Sequence, residues 1–288
     1  MLITFLLLGL SICATWLRPI PTTGKFAFQP WLLTFAFSIA SGVVANILTA
    51  SAVVALVIFT TCAYLIVRPQ APRTQRVLFG AVTAVIALAL AMHKLPGFNN
   101  PLLITDVKFS ADAALFRQYA NFDKGAAGLV LLAFLCKRSA SLAELREMFR
   151  RALPVAGLTI VLVMATAVPI GYLKPDFKLP PFTPVFLLTN LFFTCVAEEA
   201  FFRGFLQARV GRLLKKLKWG AWAAILFSAT LFGLAHIGGG IQLAMLATMG
   251  GIGYGYAYHV TKKIEAAILV HFLVNTAHFV FFTYPRLQ

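Results

Sequence analysis

Acidic residues are scarce. Nine Asp and Glu stand against 25 Lys and Arg in 288 residues, and charged residues of every kind make up only 12%. A soluble domain carries about 25% charged residues and 45–50% apolar ones. A chain that is 60% hydrophobic, with a mean hydropathy of +0.85, is therefore no ordinary soluble fold. Composition implies an all-α fold, a polytopic transmembrane bundle of about 8–10 helices. The net charge of +16 does not point to nucleic acid. Its Lys and Arg lie in short loops between apolar runs, the pattern that orients a membrane protein in its lipid bilayer.

Cysteine chemistry is also thin. Cys13, Cys62, Cys136 and Cys195 lie in or at the ends of apolar runs without CxxC spacing, which speaks against a disulfide framework and a cysteine metal site. Cys195 stands one turn before a pair of glutamates as a candidate nucleophile, with small apolar packing the preferred role. Residues 1–17 lack a basic leader and an A-x-A site, so they are expected to form a membrane helix and not a cleaved signal.

Ten apolar segments run along the chain: 2–17, 31–48, 51–67, 77–92, 125–136, 154–173, 183–206, 219–236, 240–260 and 264–283. A span needs about 20 residues, and 125–136 is the weakest, a candidate re-entrant or interfacial piece. With both termini outside, loops 18–30, 68–76, 137–153, 207–218 and 261–263 become cytoplasmic and hold 17 of the 25 Lys and Arg. That bias fits the positive-inside rule. In the longest loop, 93–124, Pro96-Gly97 and Asn99-Asn100-Pro101 are turn chemistry, with a short hairpin or interfacial helix to follow. Residues 139–151 have Leu142, Leu145, Met148 and Phe149 opposite Arg146, Arg150 and Arg151, an amphipathic surface helix. Lys215-Lys216-Leu217-Lys218 faces anionic lipid in the same way.

Against this apolar background one run stands out, Val196-Ala197-Glu198-Glu199-Ala200-Phe201-Phe202-Arg203-Gly204. Each ionised group near a bilayer centre costs about 3 kcal/mol or more, so three of them ask for a function. Helical spacing puts Glu199 and Arg203 on one face as a pair and turns Glu198 about 100° away, free for another task. Burial beside a like charge would raise the Glu198 carboxyl toward the range of a general base. Phe232 and His236 end the eighth segment at i, i+4, and His271 and Asn275 share a face of the tenth. His236 is a candidate to orient a water with Glu198, and His271 with Asn275 to donate to a developing oxyanion. These parts describe hydrolysis of a peptide bond by an activated water.

EEAFFR, FGLAH and HFLVN match the E-E-x-x-x-R, F-x-x-x-H and H-x-x-x-N motifs, in order and on separate apolar helices. In this the chain resembles the CPBP family, which comprises the type II CAAX prenyl endopeptidases and the bacteriocin-processing and abortive-infection membrane proteins. The resemblance covers roughly 186–278 and implies an intramembrane endopeptidase acting on a peptide or protein substrate at the membrane. Its catalytic residues would be Glu198, Glu199, His236, His271 and Asn275, supported by Arg203 and Phe232. It divides the chain into accessory helices, 1–150, and a catalytic core, 151–288. Family members are often named metalloproteases. Zinc or another divalent metal would use Glu198, His236 and His271, but no H-E-x-x-H is present and the metal-free mechanism is preferred.

Two other classes compete: a non-enzymatic immunity or scaffold protein of the same fold, and a proton-coupled transporter. The absence of a convincing internal repeat counts against the second. Glu199 with Arg203 would also serve as a structural buried pair, and Asn275 as an interhelical hydrogen bond. Ala247, Gly251 and Gly255 form a small-residue face whose plain role is close packing. His278, one turn beyond the His271 face, reads as packing or pore lining. A compact chain without targeting sequence suggests a bacterial inner membrane. Depth is the one awkward point. Counted from the cytoplasmic end of its segment, Glu198 lies about 8 residues in, ~12 Å, whereas His236 lies about 17 residues in, ~26 Å. Strong tilt, a seventh helix that runs on past Phe205, or a ninth segment that stops short would each reconcile them.

Overall fold

The computed structural model describes residues 1–21 and 27–288; part of the expected cytoplasmic loop 18–30, with Lys25, falls outside the described residues. Among the described residues ten helices appear, one for each apolar segment. They are α1 (Leu2–Ala14), α2 (Pro30–Val44), α3 (Ala50–Val67), α4 (Arg73–Ala91) and α5 (Phe122–Leu135), then α6 (Leu142–Ala167), α7 (Thr183–Leu213), α8 (Gly220–Ala235), α9 (Ile241–Thr261) and α10 (Ile264–Phe281). Five of them, α3, α4, α6, α7 and α10, are long and apolar enough to cross a membrane. The chain is an all-α, multi-pass integral membrane protein. Strands are short: β1 (Ile20–Pro21) pairs antiparallel with β2 (Ala27–Phe28), and β3 (Leu102–Val107) lies beside β4 (Phe116–Tyr119). The second pair is a hairpin, one of the two forms expected in the 93–124 loop.

Three helices differ from expectation in ways that matter. The amphipathic stretch 139–151 is not a separate surface helix. It continues through Pro154 as the first half of α6, started by Ser141, whose hydroxyl accepts from the Glu144 amide at 3.2 Å. Such a cap satisfies one of the donors a helix start leaves over. Segment 125–136 is a 14-residue helix, α5, in which every residue from Gly125 to Leu132 is buried. At 1.5 Å per residue it is about 21 Å long, so its apolar character reflects burial inside protein. Finally, α7 runs to Leu213, well past Phe205. Glu198 therefore stands 15 residues (213 − 198) from the end of α7.

The chain forms two compact units. The first comprises Met1–Pro101, Tyr119–Cys136 and Phe192–Phe201. Its centre is α5, which packs against α1, α3, α4 and the middle of α7. Small residues set the spacing. A Cβ on Gly128 would come within 2.7 Å of the Ala197 Cα, and one on Gly125 within 2.8 Å of the Phe193 ring. Contacts that step from 125 to 193 and from 128 to 197 make α5 run parallel to this part of α7. Between α1 and α2, Ser38 donates to the Thr4 carbonyl at 2.8 Å and Thr4 and Ser41 hydroxyls meet at 3.0 Å, polar contacts of the kind that join membrane helices.

The second unit comprises Leu102–Gln118, Lys137–Leu191 and Phe202–Gln288. Helix α9 packs against α6, α8 and α10, and α10 also against α6. At one end an aromatic cluster forms around Phe186 and Phe279, stacked at 3.9 Å, with Phe109, Phe116 and Tyr284 against them. The tail beyond α10 is fastened here by main-chain bonds from Thr283 to Lys174 (2.9 Å), Leu287 to Tyr172 (3.0 Å) and Gln288 to Asp112 (3.0 Å).

Candidate functional site

The helix that carries the glutamates is irregular. Asn190–Cys195 and Ala200–Gln207 are π-helical, and only Val196–Glu199 between them is α-helical. π turns are rare and concentrate at functional sites. Glu198 and Glu199 are therefore consecutive α-helical residues, turned from one another as expected. From Glu199 to Arg203 the winding changes, so α-helical arithmetic does not carry across that interval. Nothing in the residue types announces a π segment, and sequence periodicity missed it.

In the first unit, Glu199 is fully buried and the Glu198 side chain is 13% exposed. The sequence assigned Glu198 no cationic partner, and the structure supplies one: Lys124 Nζ donates to Glu198 Oε1 at 2.6 Å, and that lysine is itself only 16% exposed. The sequence placed Lys124 among the loop cations because it follows a long polar stretch. It belongs instead to the first turn of α5, where the Gly125 and Gly128 contacts hold α5 against the Glu198 turn.

In the second unit, four of the expected residues gather around one aromatic box. His271, 3% exposed, stacks on Tyr254 with centroids 4.5 Å apart and planes at 11°. It meets the Phe232 ring edge-on at 5.6 Å. His236 lies 4.6 Å from Phe232, and its Nδ1 is 2.8 Å from the Phe232 carbonyl. A carbonyl only accepts, so Nδ1 carries the proton and, in the neutral ring, Nε2 is the acceptor. Arg203 is fully buried, with its guanidinium over Phe232 at 4.7 Å and Tyr254 at 5.2 Å. Its Nη2 donates to the Gly251 carbonyl at 3.0 Å, and one turn on, Gln207 Nε2 donates to the Gly255 carbonyl at 2.9 Å. The small-residue face of α9 thus exposes backbone carbonyls to α7 side chains. That is close packing with a polar purpose.

Asn275 Nδ2 donates to Asn190 Oδ1 at 3.3 Å. Asn190, like Tyr254 and Lys124, was missed. An asparagine two turns into an apolar helix and a tyrosine one turn after Gly250-Gly251 were the available signals. His278 faces Thr283, its Nε2 3.2 Å from that carbonyl, and anchors the tail, a packing role. Cys195 is fully buried, as packing requires. Among the described residues no three His, Cys, Asp or Glu side chains gather as a metal-ligand group.

No curated protein and no solved structure matches the chain. A family model does: residues 180–277 match the type II CAAX prenyl endopeptidase Rce1-like family. The match contains Glu198, Glu199, Arg203, Phe232, His236, His271 and Asn275, and so takes in every residue of the three motifs. Over these residues the chain is similar to the Rce1-like type II CAAX prenyl endopeptidases, a likeness that supports a membrane protease of the CPBP kind.

Proposed function

We propose that the protein is an integral-membrane endopeptidase that hydrolyses one bond of a membrane-proximal peptide with a glutamate-activated water. The observation that supports this most directly is the family match over 180–277, which takes in every motif residue. Glu198 takes a proton from the water as its oxygen attacks the scissile carbonyl carbon. His236 orients that water through Nε2, and His271 and Asn275 donate to the oxyanion that forms. The C–N bond then breaks, and the proton held by Glu198 passes to the leaving amine. Glu199 and Arg203 support the constellation from the same helix. Residues 151–288 form the catalytic core and 1–150 the accessory helices; a bacterial inner membrane is the proposed setting.

The test uses the full chain in detergent or lipid nanodiscs with two quenched fluorescent peptides. One is farnesylated and ends in Cys-aliphatic-aliphatic-Ser, and the other is the same peptide without the lipid. Cleavage of either is expected. Glu198→Gln lowers the rate about 10²–10⁴-fold, the usual contribution of a positioned acid–base group, while the protein still elutes as a folded species. Undiminished cleavage by Glu198→Gln overturns the assignment.

A further inference from the structure

Lys124 lies outside the matched residues 180–277 and outside every motif, yet its Nζ is 2.6 Å from Glu198 Oε1. The lysine is held from behind. Asp123, one residue earlier, is 1% exposed and accepts from Asn100 Nδ2 at 2.9 Å, from the Lys124 amide at 2.8 Å, and meets His93 Nδ1 at 2.7 Å. Asn100 in turn accepts the Phe122 amide at 2.8 Å through its Oδ1. The loop that brings Asn100 is bonded to the start of α3, with Thr49 donating to the Gly97 carbonyl at 3.0 Å and Asn99 to that of Ile47 at 2.8 Å. A buried aspartate, an asparagine and a histidine therefore lock the first turn of α5, and with it the base of the lysine. Gly128 then allows the α5 backbone to approach Ala197, the residue before Glu198.

A mainly buried ammonium against a mainly buried carboxylate has two effects. It holds the carboxylate in one place, since a charge-assisted bond is about twice as strong as a neutral one. It also supplies the positive charge that lets the carboxylate stay ionised where water is scarce. We propose that Lys124, fixed by the Asn100–Asp123–His93 network, is the positioning residue for Glu198, so that the accessory helices complete the catalytic machinery of the core. This rests on Glu198 being the base.

The experiment compares kcat and KM for the full chain and for Lys124→Met, Lys124→Gln and Lys124→Arg, with Glu198→Gln alongside. Without the charge-assisted bond the carboxylate is no longer held in one place. In Lys124→Met kcat therefore falls about 10²-fold, the cost of a misplaced catalytic group, with KM little changed. Lys124→Arg restores most of kcat. Lys124→Gln, which keeps a donor without the charge, reports the same loss if the methionine variant fails to fold. A neutral variant with the wild-type kcat, or one that loses only thermal stability, overturns the proposal while Glu198→Gln stays inert. An active Glu198→Gln instead overturns the underlying assignment of the base, a separately readable result.

Discussion

Arg203 reaches the Gly251 carbonyl because Gly251 has no side chain. A Cβ at that position would stand 3.1 Å from Arg203 Nη2 and 3.2 Å from the Ala229 backbone. Gly251→Ala is expected to destabilise the protein by about 1–3 kcal/mol, the usual cost of an overpacked interior, read as a lower melting temperature in detergent. Arg203→Lys is expected to be equally poorly tolerated. A lysine offers a point charge where the planar guanidinium covers two rings and a carbonyl. Unchanged melting of both variants would mean that the box is not what holds α7 to α9.

The close approach of α5 and α7 is more demanding. A methyl group on Gly128 meets the Ala197 backbone at 2.7 Å, and backbone cannot step aside as a side-chain tip can. Gly128→Ala is predicted to cost at least as much as Gly251→Ala and to reduce activity, by moving Lys124 relative to Glu198. Gly157 is the control, because a Cβ there meets nothing within 4 Å. Gly157→Ala should stabilise α6 by about 0.5–1 kcal/mol. Thermal melts of the two variants, side by side, separate packing from helix propensity.

Acid should loosen the fastening of the tail. Ser110 donates to the Asp176 carboxylate, which also faces Lys178, and these contacts hold that carboxyl below its ordinary value of 3.8. A depressed carboxyl contributes stability that is complete above its unfolded value and is lost as pH falls through the folded one. Protection of the 283–288 amides, measured against their intrinsic exchange at each pH, is therefore expected to hold at pH 5 and to fall below about pH 4. Ser110→Ala should bring that change to higher pH. Protection that stays constant across this window would show that the main-chain bonds alone hold the tail.

Metal removal gives a fourth test. A chelator such as 1,10-phenanthroline, followed by metal analysis of the purified protein, is expected to leave peptide cleavage unchanged. Loss of cleavage that returns with added zinc would assign Glu198, His236 and His271 to a metal and replace the acid–base role given to Glu198.

How much of this was legible beforehand depends on the physics of each feature. Ten helices were visible because burial in lipid or in protein demands apolar residues whatever the packing. The same indifference hid the nature of α5, since a buried helix and a lipid-facing one are equally apolar. The motif residues stood out because charge and imidazole are costly in such surroundings. Lys124 did not, because it sits at the edge of a polar loop, where a lysine needs no reason; only the fold shows the carboxylate beside it. Tyr254 and Asn190 were hidden by being ordinary residues that gain meaning from a neighbour on another helix.

The two π-helical stretches of α7 have a practical consequence for engineering. Where winding changes twice within eighteen residues, 190 to 207, residue number is no longer a measure of direction. A one-residue deletion in either stretch would be absorbed by a return to ordinary winding and leave the helix as continuous as before. The side chains beyond the deletion would keep nearly their old bearings, because an ordinary turn covers the same rotation with one residue fewer. The same deletion in the α-helical turn between the two stretches, Val196–Glu199, would have no such slack to draw on and would turn everything beyond it by about 100°.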